Sequence, residues 1–274
     1  MNSIRSRIDH VKEWLITNKI DILCLQETKT EDKFFPIEIF SNLGYEVSIS
    51  GQKSYNGVAI ISKIQIENIQ KGFGDNVEDQ NVFKKFIDQK RLISADINGI
   101  KIINVYVPNG SSLNSEKFEY KINWLNYLAL LLDQQEKKGN LVCLLGDFNI
   151  APSNKDIYDP LKFEGGIMAS EIERNALNNV LKGRFIDAFR IFEKNTGHWS
   201  WWDYRNNAYE LNKGWRIDHI YLSKTLAPRL KSCVIDSHPR GNLQPSDHAP
   251  VMINIDLNNL NEYYIDEEED FFEI

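Results

Sequence analysis

Short apolar runs that stop at polar residues recur along this chain. Leu141-Val142-Cys143-Leu144-Leu145 follows Gly139-Asn140 and ends at Gly146, which predicts a short strand buried on both faces. Asp147 and Asn149 come next, two positions apart, so on an extended chain their side chains point the same way. A carboxylate and a carboxamide thus emerge together where a buried strand ends, and ligands of α/β proteins gather at such ends. The plainer alternative is a Gly-Asp turn in which Asn149 caps the next element. The design repeats elsewhere. Asp21–Glu27 is an apolar run closing on Gln26-Glu27-Thr28, and Lys101–Val107 closes on Tyr106-Val107-Pro108-Asn109-Gly110.

Other stretches read by period. Ile4, Ile8, Val11 and Leu15 fall at helical spacing over residues 3–18, with Ser3 as N-cap. Phe34–Leu43 predicts a short helix, and Tyr45–Ser50 and Gly57–Ser62 a strand pair turning through Gly51–Asn56. Arg91–Ile97 and Lys101–Val107 flank Asn98-Gly99, a strong hairpin signal. Ser115–Lys138 is a long helix striped by Phe118, Ile122, Leu125, Leu128 and Leu132. Residues 153–168 form a loop and Glu171–Leu181 a helix; Phe185–Phe192 then leads into His198-Trp199-Ser200-Trp201-Trp202-Asp203-Tyr204. Strands follow at Trp215–Leu222, carrying Asp218, and at Val251–Ile255 after Ser246-Asp247-His248-Ala249-Pro250. Residues 64–89 are polar and carry no clear period. No Pro/Ser-rich linker divides the chain, so residues 1–255 read as one domain and 256–274 as an acidic tail around Asp266-Glu267-Glu268-Glu269-Asp270.

Composition narrows the class. A chain of 274 residues with 42% hydrophobic content supports a sizeable core. The net charge of −7 gives no global basic signature, so nucleic-acid contact has to come from a local patch. Cys24, Cys143 and Cys233 are odd in number and lie in or beside apolar runs, which suits buried thiols in a reducing, cytoplasmic compartment rather than a disulfide frame. There is no CxxC or His-rich tract, no signal-peptide pattern and no membrane-spanning run. No partner signature stands out, and a monomer is expected.

The polar strand ends form one inventory: Glu27, Tyr106 with Asn109, Asp147 with Asn149, Asp218, and Asp247-His248. Brought to one rim, four carboxylates repel one another, and a hard divalent cation relieves that repulsion. Mg²⁺ prefers one or two carboxylates, with water and phosphate oxygen in its other positions. His248 is a proton carrier or, charged, a phosphate contact. Phosphodiester hydrolysis needs such a set.

Five motifs now stand in order: Leu25-Gln26-Glu27-Thr28-Lys29, Tyr106-Val107-Pro108-Asn109-Gly110, Gly146-Asp147-Phe148-Asn149-Ile150-Ala151-Pro152, Trp215-Arg216-Ile217-Asp218 and Ser246-Asp247-His248-Ala249-Pro250. Together they resemble the exonuclease III family of apurinic/apyrimidinic endonucleases, within the endonuclease/exonuclease/phosphatase superfamily. The resemblance implies a four-layer α/β sandwich of two packed, mostly antiparallel sheets flanked by helices. It implies Mg²⁺-dependent cleavage of duplex DNA 5′ to an abasic site, with exonuclease and trimming action at 3′ ends; Mn²⁺ is the alternative metal. By position, Glu27 is the main metal ligand with Asp247 near it, and Asn2, Asp147 and Asn149 complete the metal set. Asp147 orients or deprotonates the attacking water, Asn149 helps hold it, His248 paired with Asp218 contacts phosphate, and Tyr106 assists the leaving oxygen. DNA contacts fall to Arg5, Arg7, Tyr55 and Asn109, with Lys29 and Lys53 beside them. Trp201, Trp202 and Trp215 would wall a flipped-out sugar, whereas Trp199 reads as core.

The family pattern opens with a strand ending in Trp/Phe-Asn-x-Asn/Asp. Here Asn2 matches its second polar residue, and the strand and first Asn have no counterpart before Met1. Apolar neighbours left uncovered and backbone groups left unpaired are the expected result. Two further readings follow: a catalytically weakened DNA-binding member, and a related metal phosphoesterase acting on other phosphate esters.

Overall fold

The structure, a computed structural model, describes residues 1–74 and 89–257. The acidic tail lies outside the described residues, apart from 256 and 257, as does most of the polar stretch 64–89.

Residues Ile4–Thr17 form helix α1, which buries Ile4 and Leu15. Ser3 occupies the N-cap position, but its side chain accepts no capping bond. The first amides are satisfied otherwise: Ser3 N donates to Glu27 O (2.8 Å) and Ile4 N to Thr28 O (3.1 Å). Strand β1 is Ile22–Gln26. The helix expected at Phe34–Leu43 is a 3₁₀ turn at Asp32–Phe34 and a short α2 at Ile37–Ser41, because Pro36 lacks the amide and restricts the residue before it. Strands β2 (Glu46–Ser50) and β3 (Val58–Ser62) follow, and β3 pairs antiparallel with both β1 and β2.

The larger sheet starts with β4 (Glu67–Lys71), β5 (Leu92–Ile97) and β6 (Ile100–Tyr106). At the β5–β6 turn Asn98 and Gly99 both have positive φ (48° and 74°), as a two-residue hairpin requires. Helix α3 (Glu116–Lys137) is capped by Ser115, whose side chain accepts from Phe118 N. Its apolar face, with Trp124, Leu125, Leu128 and Leu132, covers one side of the sheet. It delivers the chain to β7 (Leu141–Asp147), which lies parallel to β6. After α4 (Pro160–Phe163) and α5 (Glu171–Leu181) come β8 (Phe185–Asp187), α6 (Ala188–Phe192) and β9 (Asp218–Ser223). The strand expected from Trp215 begins at Asp218; Trp215 makes only isolated bridges, to Ile157 and Trp201. The six strands run β4-β5-β6-β7-β9-β8.

Two strands close the fold: β10 (Leu230–Ile235), absent from the sequence reading, and β11 (Val251–Ile255), paired antiparallel. They make a separate two-stranded sheet, while β1-β3-β2 makes one of three. So one layer of the sandwich is a continuous sheet, and the facing layer is in two pieces. Apolar side chains of β3, β5, β6 and β9 meet between the layers, and the helices sit outside. Among the described residues, no helix is long and apolar enough to cross a membrane.

The register of the large sheet places the polar strand ends. Tyr106 lies opposite Asp147 across β6–β7, and Asp147 opposite Asp218 across β7–β9. Gly146 makes this crowding feasible. Its φ is +140°, and a Cβ there would stand 1.9 Å from Val105 O. Gly146→Ala is therefore expected to cost roughly 2 kcal/mol or more through overpacking and backbone strain. Denaturant unfolding checks this; an unchanged midpoint would mean that β6 and β7 can part without penalty.

Candidate active site

The rim assembles from the backbone outward. Tyr106, Asp147 and Asp218 sit side by side at the ends of β6, β7 and β9, about 4.8 Å apart by the spacing of paired strands. The aromatic run 199–202 then ties in the Asp247-His248 segment. Trp215 N donates to Trp201 O (2.9 Å), Trp202 N to Asp247 O (3.0 Å) and Ala249 N to Ser200 O (2.7 Å). This brings His248 Nδ1 to 2.9 Å from Asp218 Oδ2, and leaves Nε2 3.9 Å from Asp147 Oδ2. Asp147, Asp218 and His248 form the one cluster among the described residues compact enough to share a cation.

Glu27 joins from the other layer, just beyond β1, in a left-handed backbone conformation (φ 56°). Tyr106 donates its hydroxyl proton to Glu27 Oε1. Lys29 Nζ lies 3.3 Å from Glu27 Oε2 and donates to Asn2 Oδ1 (2.7 Å). Asn2 in turn reaches Asp247 Oδ1 at 3.4 Å, and Trp201 Nε1 donates to Asp247 Oδ2 (3.1 Å). An ammonium thus already bridges two of the oxygens assigned by resemblance to a metal. Glu27, Asp247 and Asn2 offer only oxygen, the donor type that a hard cation takes.

Asn149, buried and also left-handed (φ 50°), is held on every side. Its backbone N donates to Asp147 Oδ1 (2.9 Å), and its Nδ2 to Asp147 Oδ2 (3.2 Å) and Val107 O (3.0 Å). Asn109 Nδ2 donates to Asn149 Oδ1 (2.9 Å). The carboxamide therefore orients Asp147.

Charge sets the protonation pattern. His248 is desolvated, which lowers its pKa, but Asp218 through Coulomb attraction and hydrogen bonding, then Asp147 and Asp247, raise it to about 10. Burial pushes Asp147 up; the His248 charge opposes this, Asp218 and Glu27 add to it, and the net shift is upward. Burial also pushes Glu27 and Asp247 upward. For Glu27 the Met1 ammonium, the Tyr106 hydroxyl and His248 outweigh it, as do His248 and the Met1 ammonium for Asp247, and both end below the ordinary range.

The other sequence candidates are dispersed. Arg5, Lys53 and Tyr55 are exposed, available to a ligand; Asn109 is exposed too, but its side-chain amide is engaged with Asn149. Arg7 is engaged, donating to Asn2 O, Tyr204 Oη (3.1 Å) and Pro245 O (3.0 Å), so it ties the chain start to the loop before Asp247. Trp201 is half-buried beside Asp247. Trp215 is 5% exposed and packs edge-on against Phe163; Trp199 and Trp202 are buried in a neighbouring cluster.

Two residues went unnoticed in the sequence. Ser200, fully buried, donates to Asp218 Oδ2 (2.6 Å) and accepts from the amides of Ile217 and Asp218 (both 3.0 Å). Lys121, on the buried face of α3, donates to Asn109 O (3.1 Å), Asn149 O (2.8 Å) and Glu173 Oε1 (2.5 Å). A lysine three residues from Phe118 and four from Leu125, on an apolar stripe, was the available signal.

Two outcomes are expected. Asp218→Asn should bring the His248 pKa down from about 10 toward its ordinary 6.5, followed by NMR titration of the imidazole. The sign follows from the raised folded value. The pair's stabilisation is complete below the unfolded pKa and fades as pH rises through about 10, so the variant's stability should approach that of the parent in strong alkali. Lys121→Met leaves Glu173 buried without its cation and should cost about 3–5 kcal/mol in chemical unfolding. Lys121→Met with Glu173→Gln should recover part of that loss.

Similarity to known proteins agrees with the geometry. Residues 2–248 match the endonuclease/exonuclease/phosphatase family. The chain is 34% identical over 263 residues to exodeoxyribonuclease III of Haemophilus influenzae, covering 92% of this chain and 96% of that protein. A 3′ phosphatase from Neisseria, solved bound to product DNA hairpin, superposes with a TM-score of 0.87 at 36% identity, covering 93% of this chain and 96% of that one. An AP endonuclease from Archaeoglobus fulgidus superposes with a TM-score of 0.86 at 38% identity and the same coverage. With its strand-end carboxylates and paired histidine on one rim, this chain belongs to the endonuclease/exonuclease/phosphatase family.

Proposed function

We propose that this protein is a metal-dependent DNA-repair nuclease that cuts duplex DNA 5′ to abasic sites and trims 3′ ends. The supporting observation is the row Tyr106, Asp147, Asp218, faced by His248 and Glu27. The named activities of the relatives, exodeoxyribonuclease, 3′ phosphatase and AP endonuclease, are all phosphoester cleavages on DNA.

Glu27, with Asp247 and the carboxamide of Asn2, would hold Mg²⁺, with Mn²⁺ as an alternative. When bound, the cation supplies charge neutralisation to the phosphate. The side chains do the rest. Asp147, oriented by Asn149, accepts a proton from the attacking water; its raised pKa makes it a stronger base than an ordinary carboxylate. His248, charged at neutral pH and fixed through Nδ1 by Asp218, donates from Nε2 to a phosphate oxygen as negative charge builds there. Tyr106, hydrogen-bonded to Glu27, presents its hydroxyl to the departing 3′ oxygen. With a net charge of −7, DNA is gripped locally, through Arg5, Lys53, Tyr55 and Asn109 on exposed segments. Trp201 and Trp215 shape the wall next to the rim.

The test is incision of an end-labelled duplex carrying one abasic site, with Mg²⁺ and with a chelator. Metal-dependent cutting on the 5′ side is expected, reduced roughly 10²–10⁴-fold by Asp147→Asn, the range for loss of a general base. An unchanged rate in that variant would remove Asp147 from the chemistry. Salt-sensitive DNA binding with no cutting at any Mg²⁺ concentration would favour a non-catalytic DNA-binding protein instead.

A further inference from the structure

The segment that leads into His248 belongs to no strand, yet three consecutive carbonyls in it are held from outside. Pro245 O accepts from Arg7 Nη2 (3.0 Å) and Tyr204 Oη (2.8 Å). Ser246 O accepts from Arg240 Nη1, and Asp247 O from Trp202 N (3.0 Å). The loop just before them has little to fix it. Leu243 is 87% exposed and Gln244 has a φ of 50°.

Arg240 differs from the other donors. It sits in a 3₁₀ turn at His238–Gly241 and is 6% exposed. Among the described residues it makes no ion pair, and its Nε–H is buried without a partner. Ring faces meet its charge instead. The guanidinium carbon lies 4.9 Å from the ring centre of Tyr209, 5.7 Å from that of Tyr204 and 5.8 Å from that of Trp202, all within cation–π range. The cage is itself braced: Tyr209 packs edge-on against Trp202 (5.3 Å) and donates to Ser237 O (3.1 Å). Two of its members, Tyr204 and Trp202, also bind the carbonyls on either side of Ser246.

A desolvated cation with an unmade N–H is costly, and an apolar side chain of similar volume is often at least as stable. Stability therefore does not account for an arginine here. Its one hydrogen bond does, because Ser246 immediately precedes Asp247 and His248. We propose that Arg240 is a positioning residue for these two: caged by Trp202, Tyr204 and Tyr209, it fixes the Ser246 carbonyl and through it the Asp247 carboxylate and the His248 imidazole at the rim. Its effect on rate rests on the nuclease reading above; its effect on the segment does not. Lysine would keep the charge and a donor but lose the planar stack.

The test compares the full chain with Arg240→Met and Arg240→Lys. Melting temperature and amide exchange need no nuclease chemistry. Arg240→Met should melt within about 3 °C of the parent. It should nevertheless exchange at least about tenfold faster at 201–202 and 246–249, with β5, β6 and β7 unmoved. On an abasic duplex with Mg²⁺, kcat should fall about 10–100-fold with KM within about twofold, and Arg240→Lys should lie between Arg240→Met and the parent. Unchanged local exchange overturns the assignment. So does a large fall in melting temperature with faster exchange throughout, which would make Arg240 an ordinary core residue. A raised KM with unchanged kcat overturns it too, since that marks a DNA contact. If the parent chain cuts no DNA, the nuclease reading falls and exchange decides alone: a change confined to 201–202 and 246–249 upholds the positioning role, and its absence overturns it.

Discussion

Repulsion among carboxylates gathered at one rim is the constraint that the other features answer. Glu27, Asp147, Asp218 and Asp247 all feel the same imidazole or one another. The backbone prevents them from drifting apart. Tyr106, Asp147 and Asp218 are locked by inter-strand pairing, and the Asp247 segment by the aromatic run that bonds both to it and to Trp215. The repulsion is instead met by positive charge brought close: His248 between two carboxylates, and Lys29 against Glu27. A protein has little reason to keep such a cluster for stability, because desolvated charge is costly even when paired. Its value lies in the charge a substrate phosphate and its counter-ion bring.

A second tier holds the loops rather than the acids. Lys121 and Glu173 are both fully buried and paired, and Lys121 binds the carbonyls of Asn109 and Asn149. One ammonium thus fixes two loops that follow different strands of the large sheet, β6 and β7. Arg216 plays a similar part, joining Asp156 and Asp187 next to the start of β9. These interior ion pairs align segments whose tips carry the functional groups.

Much of this was legible in the sequence because it rests on local signals. Polar residues after buried runs marked Glu27, Tyr106, Asp147 and Asp218, and alternation or helical period marked β1, β2, β3, β5, β6 and α3. What escaped did so for identifiable reasons. β4 (Glu-Asn-Ile-Gln-Lys) is an edge strand that is mostly exposed, so no apolar period betrays it. β10 alternates, but with Lys, Ser and Cys among its residues it lacks a continuous run. Ser200 acts through a contact with Asp218, 18 residues away, which no local pattern encodes. Nor does the sequence tell that Trp215, three residues before Asp218, packs into a satellite core with Trp201 against it. Composition cannot say which face of an aromatic is covered.

Glu27 and Asn149 have a further consequence through their left-handed backbones. Glycine adopts that conformation freely, while a residue with a Cβ, and a glutamate above all, carries a penalty of order 1 kcal/mol or more. At Glu27 glycine would relieve that strain and remove the carboxylate; at Asn149 the hydrogen bonds of the buried carboxamide hold the residue in place. The rim is therefore a place where durability and chemistry pull in opposite directions. Selection for heat resistance alone would favour glycine at Glu27 and with it the loss of the carboxylate proposed to hold the cation.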